Sequence, residues 1–289
     1  GNVASTSQSN NSISLNDKLG PTMTISSSTV NSGETSNDST ISLTFTSSES
    51  TTNFIKDDIT ISGGSLSSLS GSGTTYTATL TPSGDATYTI NVAQNKFTDS
   101  AGNNNSASNT FSWTYDSTAP TITGVTLAND NSTITVTFSE TVWNYDVNSS
   151  GSLEVTDFVF ELSGGTASLS STTPSSISIN GTEYTLGISL SGTPNGSEIL
   201  TVNPALDSIY DIVGNVASTS QSNNSISLND KLSPTMTISS STVNSGETSN
   251  DSTISLTFTS SESTTNFVKD DITISSGSLS NLSGSGTTY

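Results

Sequence analysis

The chain has 289 residues, of which Ser and Thr make up roughly 40% and apolar residues 29%. Its formal charge of −20 arises from 25 acidic residues against five lysines, which removes the electrostatic basis for binding nucleic acid or an anionic membrane surface. Because Cys and His are absent, disulfides, thiolate or imidazole metal sites, and Ser-His-Asp or Cys nucleophile chemistry are excluded.

The sequence carries no membrane-spanning or targeting signal. No run of eighteen or more apolar residues occurs, and residues 1–30 lack a basic start followed by an apolar stretch. We therefore expect no membrane insertion in this segment, and any signal peptide or anchor to lie outside it. Like-charged domains in series repel one another, which favours an extended shape.

The strongest feature is an internal repeat. Residues 1–76 and 214–289 align at an offset of 213, with four substitutions: Gly20/Ser233, Ile55/Val268, Gly63/Ser276 and Ser68/Asn281. This period exceeds the roughly 20–50 residues of solenoid repeats and equals two β-sandwich domains of about 100 residues each. One repeat therefore holds two domains.

Short linkers ending in proline mark the domain boundaries, because Pro fixes φ and stiffens the joint. They cover residues 16–21, 116–120 and 229–234. The predicted units are the last strand of a preceding B-type domain (1–20), domain A (21–119), domain B (120–232) and the first half of a following A-type domain (233–289). Neither end segment could bury a complete core alone. We expect a window from a longer array, or end segments completed by neighbouring molecules through strand addition.

Apolar residues alternate with Thr and Ser along several segments, which is typical of half-buried antiparallel strands. The predicted strands lie in domain A at 41–45, 76–80, 88–92 and 111–113, and in domain B at 134–138, 158–162, 184–190 and 200–202. Gly-rich turns separate them, as at 62–64 and 163–165. The sequence predicts an all-β protein without sustained helix.

Both domains present the same landmarks in the same order. These are a strand ending in Phe followed by Glu, a Phe with acidic residues, a Tyr-Thr strand, and Asp-x-x-Gly-Asn: Phe45, Glu49, Asp57/Asp58, Tyr76 and Asp99–Asn103 in A; Phe138, Glu140, Asp157, Tyr184 and Asp211–Asn215 in B. The layout resembles the bacterial Ig-like tandem repeats of giant surface adhesins and biofilm proteins. The resemblance implies seven-stranded Greek-key sandwiches, an extracellular shaft on a cell surface or appendage, and often calcium at interdomain joints.

Two interpretations remain open for the Asp-x-x-Gly-Asn segments. In the first, Asp and Asn bond nearby backbone in a turn, with Gly102 and Gly214 at positive φ. In the second, they bind calcium, which takes six to eight oxygen ligands, together with carboxylates of the linkers. The calcium candidates are Asp17, Asp99, Asn103, Asp116, Asp211, Asn215 and Asp230.

Other polar residues suggest simpler roles. Glu49 and Glu140 are interpreted as edge charges that discourage strand pairing. Asp57-Asp58 and Asp270-Asp271 are expected in solvated loops, paired locally with Lys56 or Lys269. A general Lys–Asn isopeptide cross-link is not expected, since the interior of domain B has no lysine.

The aromatic residues Trp113 and Trp143 are expected in the core or at strand ends, with a carbohydrate platform as the alternative interpretation.

Ten Asn-x-Ser/Thr sequons make N-linked glycosylation chemically available on an extracellular chain, and the many Ser and Thr residues could carry O-linked sugars. Chance alone predicts about as many sequons at this composition, so their number is no evidence for glycans. The sequons are Asn10, Asn37, Asn104, Asn131, Asn148, Asn180, Asn195, Asn223, Asn250 and Asn281.

Together these features predict a non-catalytic structural protein, a shaft or filament subunit. Its expected partners are neighbouring repeats of the same chain or further copies along a fibre, and Ca²⁺ is the one cofactor considered. The alternative is a carbohydrate-binding adhesive module that recognises surface glycans. A polysaccharide hydrolase with two carboxylates is the third hypothesis.

Overall fold

We describe a computed structural model of the chain, which covers residue 13 and residues 15–144 and 151–289. It is 41% strand and 3% helix. The predicted all-β, Ig-like fold class is confirmed.

Domain A contains two four-stranded sheets. Their strands are β1 (Met23–Ser27), β2 (Thr35–Ser36), β3 (Ile41–Thr51), β4 (Ile59–Ile61), β5 (Ser65–Leu66), β6 (Ser70–Thr81), β7 (Ala86–Val92) and β8 (Phe111–Tyr115). One sheet has the order β1-β3-β6-β5, and the other has the order β2-β8-β7-β4. The strand β2 is short and was not expected. It arises because the chain leaves β1, crosses to the opposite sheet and pairs with β8.

The inner faces of the two sheets form the core of domain A. Alternate residues of β3, such as Leu43 and Phe45, are fully buried, and the intervening Ser and Thr face outward. Trp113 is 0% exposed, and its indole Nε1–H donates to Ser36 Oγ at 2.9 Å. Trp113 is therefore a core residue.

Domain B has three groups of strands. They are β9 (Ile122–Leu127), β10 (Thr133–Phe138), β11 (Phe158–Ser163), β12 (Ser168–Leu169), β13 (Ile177–Asn180), β14 (Glu183–Gly187), β15 (Leu190–Ser191), β16 (Ile199–Pro204) and β17 (Ser225–Ser227). The sheets have the orders β13-β14-β10-β9 and β11-β16-β17, and β12 pairs with β15 as a separate ribbon. The buried residues form a second hydrophobic cluster, distinct from that of domain A.

The continuous strand predicted at 184–190 is wrong in its second half. Strand β14 ends at Gly187, whose backbone is bonded to Ser175 and Ser176, and a Cβ at Gly187 would lie 2.4 Å from Ser175 Oγ. The chain then leaves that sheet, and Leu190 pairs with Leu169 of β12. The apolar alternation continues through this break because Leu186 and Ile188 are buried and Leu190 still packs against the core of domain B.

Residues 234–289 repeat the strand pairing of domain A. The strands are β18 (Met236–Ser240), β19 (Leu256–Thr264) and β20 (Gly286–Thr288). The pair Ile238↔Phe258 has the register of Ile25↔Phe45. Ile25 is 2% exposed but Ile238 is 63% exposed, because the strands that cover Ile25 have no counterpart here. The four domain boundaries remain a prediction.

The paired aspartates lie in short 3-10 turns, where Asp57, Asp270 and Asp271 are exposed, as the expectation of a solvated position required. The turns span Lys56–Asp58 and Lys269–Asp271, and domain B has a similar turn with a single aspartate at Val155–Asp157. Asp58 Oδ2 accepts from Ile55 N at 2.9 Å, which caps the turn, and Lys56 Nζ donates to Leu66 O at 2.5 Å. The expected pairing of Lys56 with a neighbouring carboxylate is replaced by this backbone contact.

In the described part of the chain, no helix has the length and apolar character required to span a bilayer.

Candidate functional site

The Asp-x-x-Gly-Asn segment of domain A forms a tight turn around a buried carboxylate. Asp99 Oδ1 accepts from Ala101 N at 2.8 Å and from Asn103 N at 2.9 Å, and Oδ2 accepts from Asn103 Nδ2 at 2.9 Å. Gly102 supplies a φ of +89°. Asp211 makes the same three kinds of bond in domain B, to Val213 and Asn215.

These turns also hold the incoming linker. Asn103 Nδ2 donates to Leu19 O at 3.4 Å, and Asn215 Nδ2 donates to Asp116 O at 3.1 Å. Asn215 Oδ1 also accepts from Asn37 Nδ2 at 3.3 Å, a contact between domains B and A. One asparagine in each turn thus connects the domain to the segment that precedes it.

Three carboxylates converge where the first linker meets domain A. They belong to Asp17 of the linker, Glu49 near the end of β3, and Asp99 of the turn, and one oxygen from each lies within 4.8 Å of the others. It is the one such group among residues 15–144 and 151–289. Strand β3 is longer than predicted, and this length carries Glu49 to the joint.

The charges at this joint affect one another. Burial raises the pKa of Glu49, and the nearby negative charges of Asp17 and Asp99 raise it further. The Asn103 side-chain hydrogen bond lowers the pKa of Asp99, with backbone N–H groups of the turn adding to this against the opposing effect of burial. The joint therefore concentrates negative charge that a cation would neutralise.

The second joint contains the corresponding residues. Burial raises the pKa of Glu140, followed by the charges of Asp211 and Asp116. Glu140 and Glu49 were interpreted as edge charges from sequence, but each faces the carboxylates of a joint. In the described chain, the second set does not reach the 4.8 Å spacing of the first.

The donor set at the first joint fits a hard divalent cation. Calcium binds oxygen at about 2.3–2.6 Å, so oxygens that share one ion lie within about 5 Å of each other. Asp17, Glu49 and Asp99 meet that limit. Asp230 Oδ1 accepts from Leu232 N at 2.8 Å, the linker turn also made by Asp17 on Leu19 and by Asp116 on Thr118.

The sequons differ in accessibility. Asn131 is 3% exposed, and its amide bonds Asn229 through both Nδ2 and Oδ1. Asn195 is half-buried. The exposed sequons are Asn37, Asn104, Asn180, Asn223, Asn250 and Asn281, and Asn10 and Asn148 lie outside the described residues. N-linked glycosylation remains a prediction.

The sequence did not single out Glu198, a buried carboxylate in domain B that is 0% exposed. Its oxygens accept from Thr166 N at 2.7 Å, Ala167 N at 3.0 Å and Asn195 N at 3.1 Å. Burial raises its pKa, but the backbone N–H donors outweigh burial and lower the pKa to about 2. In the sequence, Glu198 is a single acidic residue just before a strand, and nothing in that pattern indicates that its carboxylate is buried and binds backbone N–H groups.

Asp85, in the turn between β6 and β7, binds the linker that follows domain A. Its Oδ1 accepts from Ser117 N at 2.8 Å and Ser117 Oγ at 2.7 Å, and its Oδ2 accepts from Thr118 Oγ1. The hydrogen bond from Thr118, then those from Ser117, lower the pKa of Asp85. We call this contact the Asp85 latch.

The comparison with known protein families gives two matches, one in each copy of the sequence repeat. A family model described as a bacterial Ig-like domain matches residues 17–115 and 230–289. The chain belongs to the bacterial Ig-like domain family. The resemblance seen in the sequence is confirmed, and the two bacterial Ig-like matches begin at equivalent linker positions, at Asp17 and at Asp230.

No curated protein matches the chain. Among solved structures, InvD of Yersinia pseudotuberculosis is 16% identical with a TM-score of 0.31, and the alignment covers 84% of this chain and 69% of InvD.

Proposed function

We propose that this bacterial Ig-like chain is part of a non-catalytic, extracellular shaft that displays other modules away from a cell surface. The observation that carries the proposal is the 213-residue repeat, which reproduces linker, strands and acidic residues almost unchanged. β-Sandwich domains with separate cores and short linkers are suited to form an extended spacer, and not to carry out catalysis.

Solution scattering tests the shaft. An array of bacterial Ig-like domains joined end to end should give a maximum dimension that grows in proportion to the number of repeats, when chains with one and two copies of residues 17–229 are compared. A dimension that grows only as the cube root of mass would show compact packing and contradict the proposal.

We also propose that calcium stiffens the joints through Asp17, Glu49 and Asp99, with Asp116, Glu140 and Asp211 as the second set. A cation bound by the folded joint raises the midpoint of thermal unfolding. At a free concentration 100 times the Kd, the stabilisation is about 2.7 kcal/mol. Calcium should therefore raise Tm, and chelator should reverse the rise.

The variant Glu49→Gln combined with Glu140→Gln removes one carboxylate per joint and should abolish the calcium-dependent rise in Tm. The matched control is Asp57→Asn, because Asp57 is exposed and lies outside both joints. An equal rise in all three proteins would mean that calcium binds elsewhere, and no rise in the wild type would remove the cation from the proposal.

A further inference from the structure

The second strand of domain A, β2, is bonded directly to its last strand, β8. Strand β2 runs parallel to β8, with Thr35 opposite Thr114 and Ser36 opposite Tyr115. Beyond the bonds of the paired residues themselves, three backbone hydrogen bonds flank the pair: Gly33 N to Ser112 O at 2.9 Å, Thr114 N to Glu34 O at 3.0 Å, and Asp116 N to Ser36 O at 3.1 Å. We call this contact the terminal clamp.

Two side chains extend the terminal clamp. Ser32 Oγ accepts from Ser112 N at 3.0 Å, and Ser36 Oγ accepts from Trp113 Nε1 at 2.9 Å. Since Trp113 is fully buried, its indole N–H would lose its partner if β2 moved away. Separation of the strands thus breaks backbone and side-chain bonds together.

The direction of the strands decides how this contact carries tension. In a shaft, force enters domain A before β1 and leaves after β8, at the linker. Because β2 and β8 are parallel, it pulls them in opposite directions along their own axes. Their hydrogen bonds run across the strands, so all of them are loaded at once and none can open first.

Domain B lacks this arrangement. In its described residues, 120–144 and 151–232, the chain passes from β9 through a turn at 128–133 into β10, and no strand before β10 pairs with β17. Its entry and exit segments meet at Asn229. Asn131 Nδ2 donates to Asn229 O at 2.8 Å, Asn229 N donates to Asn131 Oδ1 at 2.9 Å, and Asn229 Nδ2 donates to Ala128 O at 3.2 Å.

In both domains, a side chain from the loop before the last strand also binds the backbone of the first strand. Because both domains have this second tie, it does not explain a difference between them in resistance to force. Asn109 bonds the backbone N and O of Ile25 at 2.7 and 2.9 Å, and Gln221 Oε1 accepts from Ile122 N at 2.9 Å. The difference between the domains therefore lies in the terminal clamp.

We infer that the two domain types resist tension unequally: domain A is the load-bearing unit, and domain B yields first and lengthens the chain. The inference rests on the proposed role as a shaft. Apart from the tie that both domains share, the load in domain A is spread along a registered pair of strands, whereas in domain B it falls on the amides around Asn229.

Single-molecule force spectroscopy tests the order of unfolding. The chain has no cysteine, so handles can be attached through Asn16→Cys and Leu232→Cys, which places domains A and B alone under load. The proposed domains differ by about 14 residues, which gives extensions that differ by about 5 nm at ~3.5 Å per residue. We expect the longer extension, from domain B, to come first and at lower force.

The variant Ser36→Pro removes the backbone N–H that Ser36 contributes to the paired strands β2 and β8, and the hydroxyl that accepts from Trp113. Because forced unfolding follows the unfolding rate, we expect domain A to open on the order of tenfold faster at the same load. If this variant does not fold, Ser32→Ala with Ser36→Ala removes only the side-chain bonds and should accelerate opening several-fold. The control is Leu66→Ala, which removes buried core on β5, away from the clamp.

We expect Leu66→Ala to lower the Tm of domain A and to leave domain B opening first. The inference is overturned if domain A opens first in the wild type, or if the clamp variants leave its unfolding rate under load unchanged. These measurements concern single domains, so they remain decisive even if scattering shows that the chain is compact and the shaft proposal fails.

Discussion

Individual buried polar side chains organise the loops of these domains. A chain with 29% apolar residues gains limited stability from its core, so each loop that must stay ordered needs hydrogen bonds of its own. Glu198 and Asn105 serve this purpose by accepting or donating several backbone bonds each. The loss of either side chain leaves buried N–H groups without partners.

Glu198 makes the stability of domain B depend on pH. Its pKa is about 2 in the folded protein and 4.5 ordinarily, so its contribution is complete above pH 4.5 and is lost as the pH falls towards 2. Glu198→Gln should lower stability at pH 7 by about 1–3 kcal/mol and flatten the acid limb of a Tm-versus-pH curve. Glu183→Gln, at an exposed position of β14, should leave that limb in place.

Asn105 should be similarly sensitive in domain A. It is 2% exposed, its Oδ1 accepts from Lys96 N and Phe97 N, and its Nδ2 donates to Ala93 O. At about 1 kcal/mol for each net hydrogen bond, Asn105→Ala should cost about 3 kcal/mol in chemical denaturation. The same substitution at the exposed neighbour Asn104 should cost far less, and equal losses would show that the bonds are not what stabilises the loop.

At the level of strands, the sequence was a good guide wherever one side of a strand is buried. The alternation at 41–45 and 76–80 predicted β3 and β6 because each buried residue is separated by one Ser or Thr that faces outward. The pattern could not reveal β2, since Thr35-Ser36 has no apolar residue that could alternate with its hydroxyl side chains. It also could not show that the segment 184–190 changes partners.

Two of the three clustered carboxylates of the first joint were singled out in the sequence as calcium candidates. Asp17 and Asp99 were recognised because they lie in a linker and a turn that recur along the chain. Glu49 was missed, because its distance from both in sequence gives no indication that β3 ends beside them. Such a contact depends on sheet order, which local pattern does not encode.

Gly165, in the turn between β11 and β12, is required both by its backbone conformation and by the space around it. Its φ is +61°, and a Cβ there would lie 2.1 Å from Glu198 Cδ. Gly181, in the β13–β14 hairpin, has a φ of +63° with no atom within 4 Å of such a Cβ. Gly181→Ala should cost about 1 kcal/mol from backbone strain alone.

Gly165→Ala adds the clash with Glu198 to the same strain, and we expect a loss at least twice as large in thermal unfolding. Comparable losses in the two variants would mean that the Glu198 side chain moves freely out of the way.

At the scale of the whole molecule, the orientation of each domain depends on few contacts. The Asp85 latch holds Ser117 and Thr118 against domain A, and Asn215 of domain B reaches Asp116 in the same linker. Asp85→Asn should broaden the distance distribution between spin labels placed on domains A and B. Asp57→Asn is the charge-matched control, and an unchanged distribution in Asp85→Asn would show that the latch does not set the joint.

The near-identity of residues 21–76 and 234–289 gives the end of β6 and the strands β7 and β8 a choice of partners. During folding, the segment from residue 77 to 115 meets two chemically equivalent half-sandwiches, and only chain connectivity separates the correct pairing from an exchanged one. Exchange would have to close a loop of more than a hundred residues around domain B, a penalty of about 4 kcal/mol. This cost of loop closure favours the native pairing over the exchanged one.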